Sequence, residues 1–137
     1  MPHLFAYGTL MCEDIFRQVA GCDAARAPAV LQGFSRRQVR GEHYPALLPV
    51  DGGRVEGLVY RDLSDAAWQR LDRFEGEMYL RQEVGVELSD GTALPAFTYI
   101  VRPEYADRLE AALWEFADFL REGKERFQRH YVGYKAL

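Results

Sequence analysis

Two short stretches carry groups suited to holding an anion and moving a proton. The first is "YGTL", residues 7–10. The apolar start Leu4-Phe5-Ala6 reads as a strand, and Tyr7-Gly8-Thr9 cuts it short. A glycine at a strand end lets the backbone turn and lets another molecule approach the main chain closely. With a helix expected from Glu13, the turn between them directs several N–H groups at one spot, which suits a carboxylate; the tetrapeptide alone also fits an ordinary strand–helix turn. The second stretch is "LDRFEGEMYLR", residues 71–81. A helix expected to end near Phe74, with Gly76 as its stop, leaves Glu75 at a helix C-terminus, where the macrodipole disfavours negative charge. Beside Phe74 and near Tyr79, that carboxyl has the setting of a raised pKa and of a general base; an exposed helix-end Glu is the alternative. Asp72 and Glu77 read as solvated helix and turn residues, and Glu83 as a strand residue.

Other groups offer competing chemistry. In "GEHYPALLP", residues 41–49, Tyr44 either lines a pocket or covers the core edge. Arg81 either meets a substrate carboxylate or makes a strand salt bridge. Cys12 follows the first turn, where a thiol at a helix N-terminus can be activated, but nothing ties His43 or His130 to it as a base. His3, His43 and His130 are scattered, which disfavours a metal site. No phosphate-loop or dinucleotide fingerprint occurs.

The elements that must position these groups follow from periodicity. Strands are expected at residues 3–7, 28–40 (interrupted by Gly33), 54–60, 83–88 and 93–101, the last two joined as a hairpin across Ser89-Asp90-Gly91. Asp51-Gly52-Gly53 reads as a turn, and Pro95 as the mark of an edge or bulge. Helices are expected at 13–20, ending at Gly21; at 65–73, with Ser64 as N-cap and a Leu63–Trp68 staple; and at 104–122, after Pro103. The last carries Leu109, Leu113, Phe116 and Leu120 at helical spacing, with Gly123 as its stop. Strands with inserted helices, lacking regular βα alternation, indicate an α+β class.

The bulk numbers narrow the setting. The 137 residues, 48% hydrophobic, suffice for one domain with a core, residues 1–137. Seventeen basic and 21 acidic residues give a net charge of −4, which argues against a nucleic-acid or anionic-membrane partner. The cluster Arg36, Arg37, Arg40 reads as a solvated strand face or loop. No segment has the pattern of a signal peptide, and no run approaches the about 20 apolar residues that span a bilayer. Cys12 and Cys22 read as free thiols, and the expected location is the cytoplasm.

Taken in order, "YGTL", "HYPAL", "GLVY", "LDRFEGEMYLRQEV" and "AFTYI" resemble the gamma-glutamylcyclotransferase-like family, in its AIG2-like branch, over roughly residues 3–101. The resemblance implies a small mixed β-barrel with flanking helices, and a cofactor-independent enzyme. Such an enzyme cyclises the γ-glutamyl group of a small-molecule substrate to 5-oxoproline and releases an amine or amino acid. It places the family's loop on Tyr7, Gly8, Thr9 and Leu10 and its catalytic glutamate on Glu75, with Tyr44 and Tyr79 as pocket-lining candidates. A non-catalytic binding or interaction module on the same fold is the alternative reading. A thiol-dependent hydrolase using Cys12 is a third. The leaving group, the oligomeric state and the role of the tail around Tyr131 and Tyr134 are left open.

Overall fold

All three residues of the first strand are buried, so this strand has structure packed against both faces. The computed structural model describes residues 2–131. Strand β1 (Leu4–Ala6) is followed by a 3₁₀ turn at Thr9–Met11 and helix α1 (Glu13–Ala20). The long strands β2 (Arg26–Val39) and β3 (Pro45–Tyr60) come next, then α2 (Asp65–Glu75), β4 (Tyr79–Leu88) and β5 (Ala93–Val101). A 3₁₀ segment, Pro103–Arg108, leads to β6 (Leu109–Leu113). The described chain ends through α3 (Phe116–Asp118), a π-helical stretch (Phe119–Gly123) and α4 (Lys124–His130).

The sheet runs β3-β1-β5-β4-β2 and closes through β2–β3 pairing, so five strands form a barrel and β6 adds outside it. The barrel is mixed: β1 pairs antiparallel with β3 but parallel with β5, at Leu4 opposite Phe97. Closure gives each of these five strands a neighbour on both sides, although β2 runs on past the barrel. One apolar cluster draws only on strand residues and Tyr7, including Phe5, Leu31, Leu47, Val59 and Ile100, and fills the barrel. A second holds the helices on the outside, with Ile15, Phe16 and Val19 of α1 meeting Trp68, Leu71 and Phe74 of α2. Phe16 stacks on Tyr60 at 3.7 Å between ring centroids. Arg70 of α2 donates from Nε to the Val19 carbonyl at 2.7 Å and so satisfies the C-terminal end of α1.

Helix α2 forms where its caps predict. The Ser64 hydroxyl accepts from the Ala67 N–H at 3.2 Å, and the staple residues Leu63 and Trp68 are both buried. The hairpin at Ser89-Asp90-Gly91 also forms, closed by bonds from Leu88 N to the Thr92 carbonyl and from Gly91 N to the Leu88 carbonyl, both 2.9 Å. Pro95 sits where β5 pairs with β4 but has not yet met β1, so its missing N–H faces the unpaired side.

Three expectations are corrected. Asp51-Gly52-Gly53 is an excursion within β3, lying where the β2–β3 register shifts between Gln32 and Phe34. The 104–122 segment is not one helix. Leu109–Leu113 is extended because β2 projects past the barrel and offers backbone partners, pairing Arg37 with Leu113 and Val39 with Leu109. The apolar spacing that suggested a helix is only half used: Leu109 and Phe116 pack partly buried against the core, Leu113 and Leu120 are 62% and 47% exposed, and Trp114, off that stripe, is buried and donates to the His43 carbonyl at 3.2 Å. Gly123 does not stop the helix either. It keeps helical geometry and lets His43 pack close, since a Cβ there would lie 3.0 Å from His43 Nδ1. Among the described residues, no helix is long and apolar enough to cross a membrane.

Candidate active site

The early end of β1 opens a cavity. After Ala6 the chain leaves the sheet and turns through Gly8 into the 3₁₀ turn. In such a turn the first N–H groups have no partner of their own. The turn's own bonds run from Met11 N to Gly8 O at 3.0 Å and from Cys12 N to Thr9 O at 3.1 Å. The N–H groups of Gly8, Thr9 and Leu10 find no acceptor among the described residues. Pro45 packs so closely that a Cβ on Gly8 would lie 2.8 Å from its Cγ, so a side chain here would displace the loop. Arg36 holds the loop from behind, donating from Nη1 to the Tyr7 carbonyl at 2.8 Å, with its guanidinium 5.3 Å from the Trp114 ring centroid. Arg36 is thus half-buried and structural, where the sequence suggested a solvated face.

Glu75 is the last residue of α2, and Gly76 ends the helix with φ of 79°. The residue as a whole is half-buried, but its carboxyl is desolvated. That desolvation, aided by the nearby negative charge of Asp72, raises its pKa from 4.5 to about 8. Among the described residues, no cation lines the cavity to offset this. Asp72 is exposed, as the sequence suggested, and is also tied to the site wall. Its Oδ1 accepts from the Tyr99 hydroxyl at 2.6 Å and its Oδ2 lies 3.6 Å from Arg81, whose guanidinium covers the Trp68 ring at 4.8 Å. Arg81 therefore makes the strand salt bridge and does not line the cavity.

The cavity is half-open, and its empty space comes to about 390 Å³ once the gaps between atoms and the open mouth are counted. Tyr7, Gly8, Thr9 and Leu10 line it from the β1 end, Glu75 from α2, and Tyr44 and Tyr79 from the entries to β3 and β4. All seven residues singled out from the sequence thus face one space. Most of its phenols are committed to the protein. Tyr7 donates to the Tyr99 carbonyl, Tyr79 to the Pro45 carbonyl (both 2.7 Å) and Tyr131 to the Glu75 carbonyl at 3.1 Å. Burial pushes the Tyr7 and Tyr79 phenols well up and that of Tyr44 to about 12, so these groups stay protonated.

Sequence reading missed Tyr99 and Phe127, which also line the cavity. Tyr99 carries no local signal, being one more aromatic of a buried strand. Phe127 lay beyond the helix stop expected at Gly123. Tyr131 closes one side, while Tyr134 lies outside the described residues. Cys12 is buried away from the cavity, and burial raises its thiol to about 11, which disfavours a thiolate nucleophile. Among the described residues, no three His, Cys, Asp or Glu side chains converge as metal ligands.

Comparison with known proteins agrees with this architecture. The family model described as "Gamma-glutamyl cyclotransferase, AIG2-like" matches residues 4–116. AIG2-like protein D of Arabidopsis thaliana is 31% identical over 129 residues, spanning 93% of this chain and 84% of the relative. A solution structure of another Arabidopsis thaliana protein superposes with a TM-score of 0.73 at 27% identity, over 93% of this chain and 78% of that one. A solved gamma-glutamyl cyclotransferase, 22% identical, shares the fold with a TM-score of 0.64 over 75% of this chain and 72% of its own. The sequence match and the common barrel together establish that this chain belongs to the gamma-glutamyl cyclotransferase, AIG2-like family.

Proposed function

We propose that the protein cyclises a γ-glutamyl amide to 5-oxoproline and releases the amine, with Glu75 as the acid–base group. One observation carries this reading: a desolvated carboxyl with a pKa of about 8 shares a cavity with backbone N–H groups that have no acceptor among the described residues. An α-amino group has an unperturbed pKa of about 8, so proton transfer from the substrate's ammonium to Glu75 is nearly isoenergetic. The freed amine attacks the γ-carbonyl carbon of the same molecule. The ring C–N bond forms and the amide C–N bond breaks as Glu75 returns its proton to the departing nitrogen; the second proton of the ring nitrogen then passes to the released amine, which leaves as an ammonium. The N–H groups of Gly8, Thr9 and Leu10 hold the glutamyl end, through its α-carboxylate or through the oxyanion that develops on the γ-carbonyl. Holding the chain folded for attack supplies much of the acceleration. Tyr7, Tyr44 and Tyr79 act as walls.

A binder of carboxylates would gain nothing from a second acid in its pocket, which favours catalysis over a purely binding role. The test is a turnover screen of purified protein with γ-glutamyl amino acids and γ-glutamyl amines, detecting 5-oxoproline. Glu75→Gln should retain substrate binding and lose turnover by at least about a hundredfold. Near-normal turnover by that variant would refute the assignment of Glu75.

A further inference from the structure

We propose that Arg36 is a positioning residue of the anion cradle: its cation, bound to the Tyr7 carbonyl, polarises the Tyr7–Gly8 peptide and makes the Gly8 N–H the strongest donor offered to the glutamyl group. This rests on the cyclotransferase reading above and deepens it. Each cradle N–H shares a peptide group with the carbonyl of the preceding residue. The carbonyls behind Gly8, Thr9 and Leu10 are those of Tyr7, Gly8 and Thr9, and all three are bonded within the protein. Gly8 O accepts from Met11 N at 3.0 Å and Thr9 O from Cys12 N at 3.1 Å, both neutral donors. Tyr7 O accepts instead from a cation, Arg36 Nη1, at 2.8 Å. Among the described residues no peptide bond is cis, and in a trans peptide the C=O and N–H point in opposite directions. Arg36 therefore holds this peptide from the side away from its N–H, and Gly8 itself lines the cavity. A donor on the oxygen draws electron density from the amide nitrogen and strengthens the N–H, and a charged donor does so more than a neutral one.

The cation is fixed in place and its charge is not neutralised. Its second hydrogen bond goes to another carbonyl, that of Glu56, at 3.1 Å. The Glu56 carboxylate pairs with Arg54 at 2.8 Å, and Glu115 acts on Arg36 only at longer range. The Trp114 ring stands 5.3 Å from the guanidinium and is itself anchored by its indole bond to the His43 carbonyl. This clamp keeps Arg36 half-buried, where water screens its charge less than at the open surface. An anion on the Gly8 N–H and the guanidinium on the Tyr7 carbonyl attract one another across a single peptide unit. Arg36 does not line the cavity, so it acts on substrate only through that peptide.

Three variants separate polarisation from simple support of the loop. Arg36→Lys keeps the cation. Arg36→Gln keeps a neutral N–H donor. Arg36→Met keeps the apolar stem alone and serves if the glutamine variant does not fold. Removing the charge should lower kcat/KM about tenfold on any substrate that is turned over, and Arg36→Lys should recover most of the loss. A loss in KM identifies the α-carboxylate as the group held, and a loss in kcat the oxyanion; either supports the role. In amide NMR spectra the Gly8 nitrogen should move upfield in the Gln and Met variants and stay near its parent position in the Lys variant. The Thr9 and Leu10 nitrogens, whose carbonyl partners are unchanged, should move less. A loop that had only lost its support would shift all three together.

Arg36→Lys no better than Arg36→Gln, or a Gly8 nitrogen that does not respond to loss of the charge, overturns this inference and leaves the cyclotransferase reading standing. If the parent turns over no substrate, 5-oxoproline titrated against the same amide resonances decides. Binding about tenfold weaker without the charge, and restored by Arg36→Lys, supports the role of Arg36 while the chemistry falls. Equal affinities overturn it. Neither turnover nor 5-oxoproline binding by the parent overturns both.

Discussion

A buried carboxyl that serves as a base should leave a mark on folding as well as on rate. The pKa of Glu75 rises from 4.5 to about 8 on folding, chiefly through desolvation and secondarily through Asp72. Between these values the unfolded chain has already lost the proton and the folded chain still holds it. Stability must therefore fall as pH rises through that window and level off above about 8, because the unfolded state binds fewer protons there. The shift spans about 3.5 units, each corresponding to about 1.36 kcal/mol, or about 5 kcal/mol across the full window. Glutamine keeps the shape and removes the titration. The advantage of Glu75→Gln over the parent should therefore grow by up to about 4 kcal/mol between pH 5 and pH 9. Urea unfolding of both proteins at intervals across that range measures the difference directly, since other titrating groups are common to both. Parallel curves would refute the reasoning: they would mean that the Glu75 carboxyl reaches water and titrates as an ordinary side chain.

The cradle and the electrostatic neighbour can be tested separately. Gly8→Ala puts a Cβ 2.8 Å from Pro45 Cγ, and should destabilise the fold by about 1–3 kcal/mol and lower kcat/KM on any active substrate. Unchanged melting and kinetics would mean that the loop yields freely. Asp72→Asn removes the one negative charge that adds to the Glu75 shift, while its amide oxygen can still accept from Tyr99. The acid limb of kcat/KM against pH should move to lower pH; a limb that stays in place would show that desolvation alone sets the Glu75 pKa.

Local chemistry determined much of this protein from the sequence alone. Ser64, Leu63 and Trp68 define the start of α2 through interactions within a few residues, and Gly76 ends it, so Glu75 falls at a helix terminus before any tertiary contact is considered. The Leu4-Phe5-Ala6 run and its abrupt end at Gly8 are similarly local. The order of the short motifs added the family, and with it the barrel. Tertiary structure decided what depends on partners far along the chain. Leu109–Leu113 has helical spacing, yet the edge of β2 that β3 leaves free claims its backbone as a sixth strand. Arg36 looked solvated until the Tyr7 carbonyl and the Trp114 ring were placed against it. The pKa of Glu75 depends on its burial in a cavity lined by rings from well-separated segments of the chain. Periodicity records which side of an element is apolar. It carries no record of which distant element covers that side, or of which buried charge is left without a counterion.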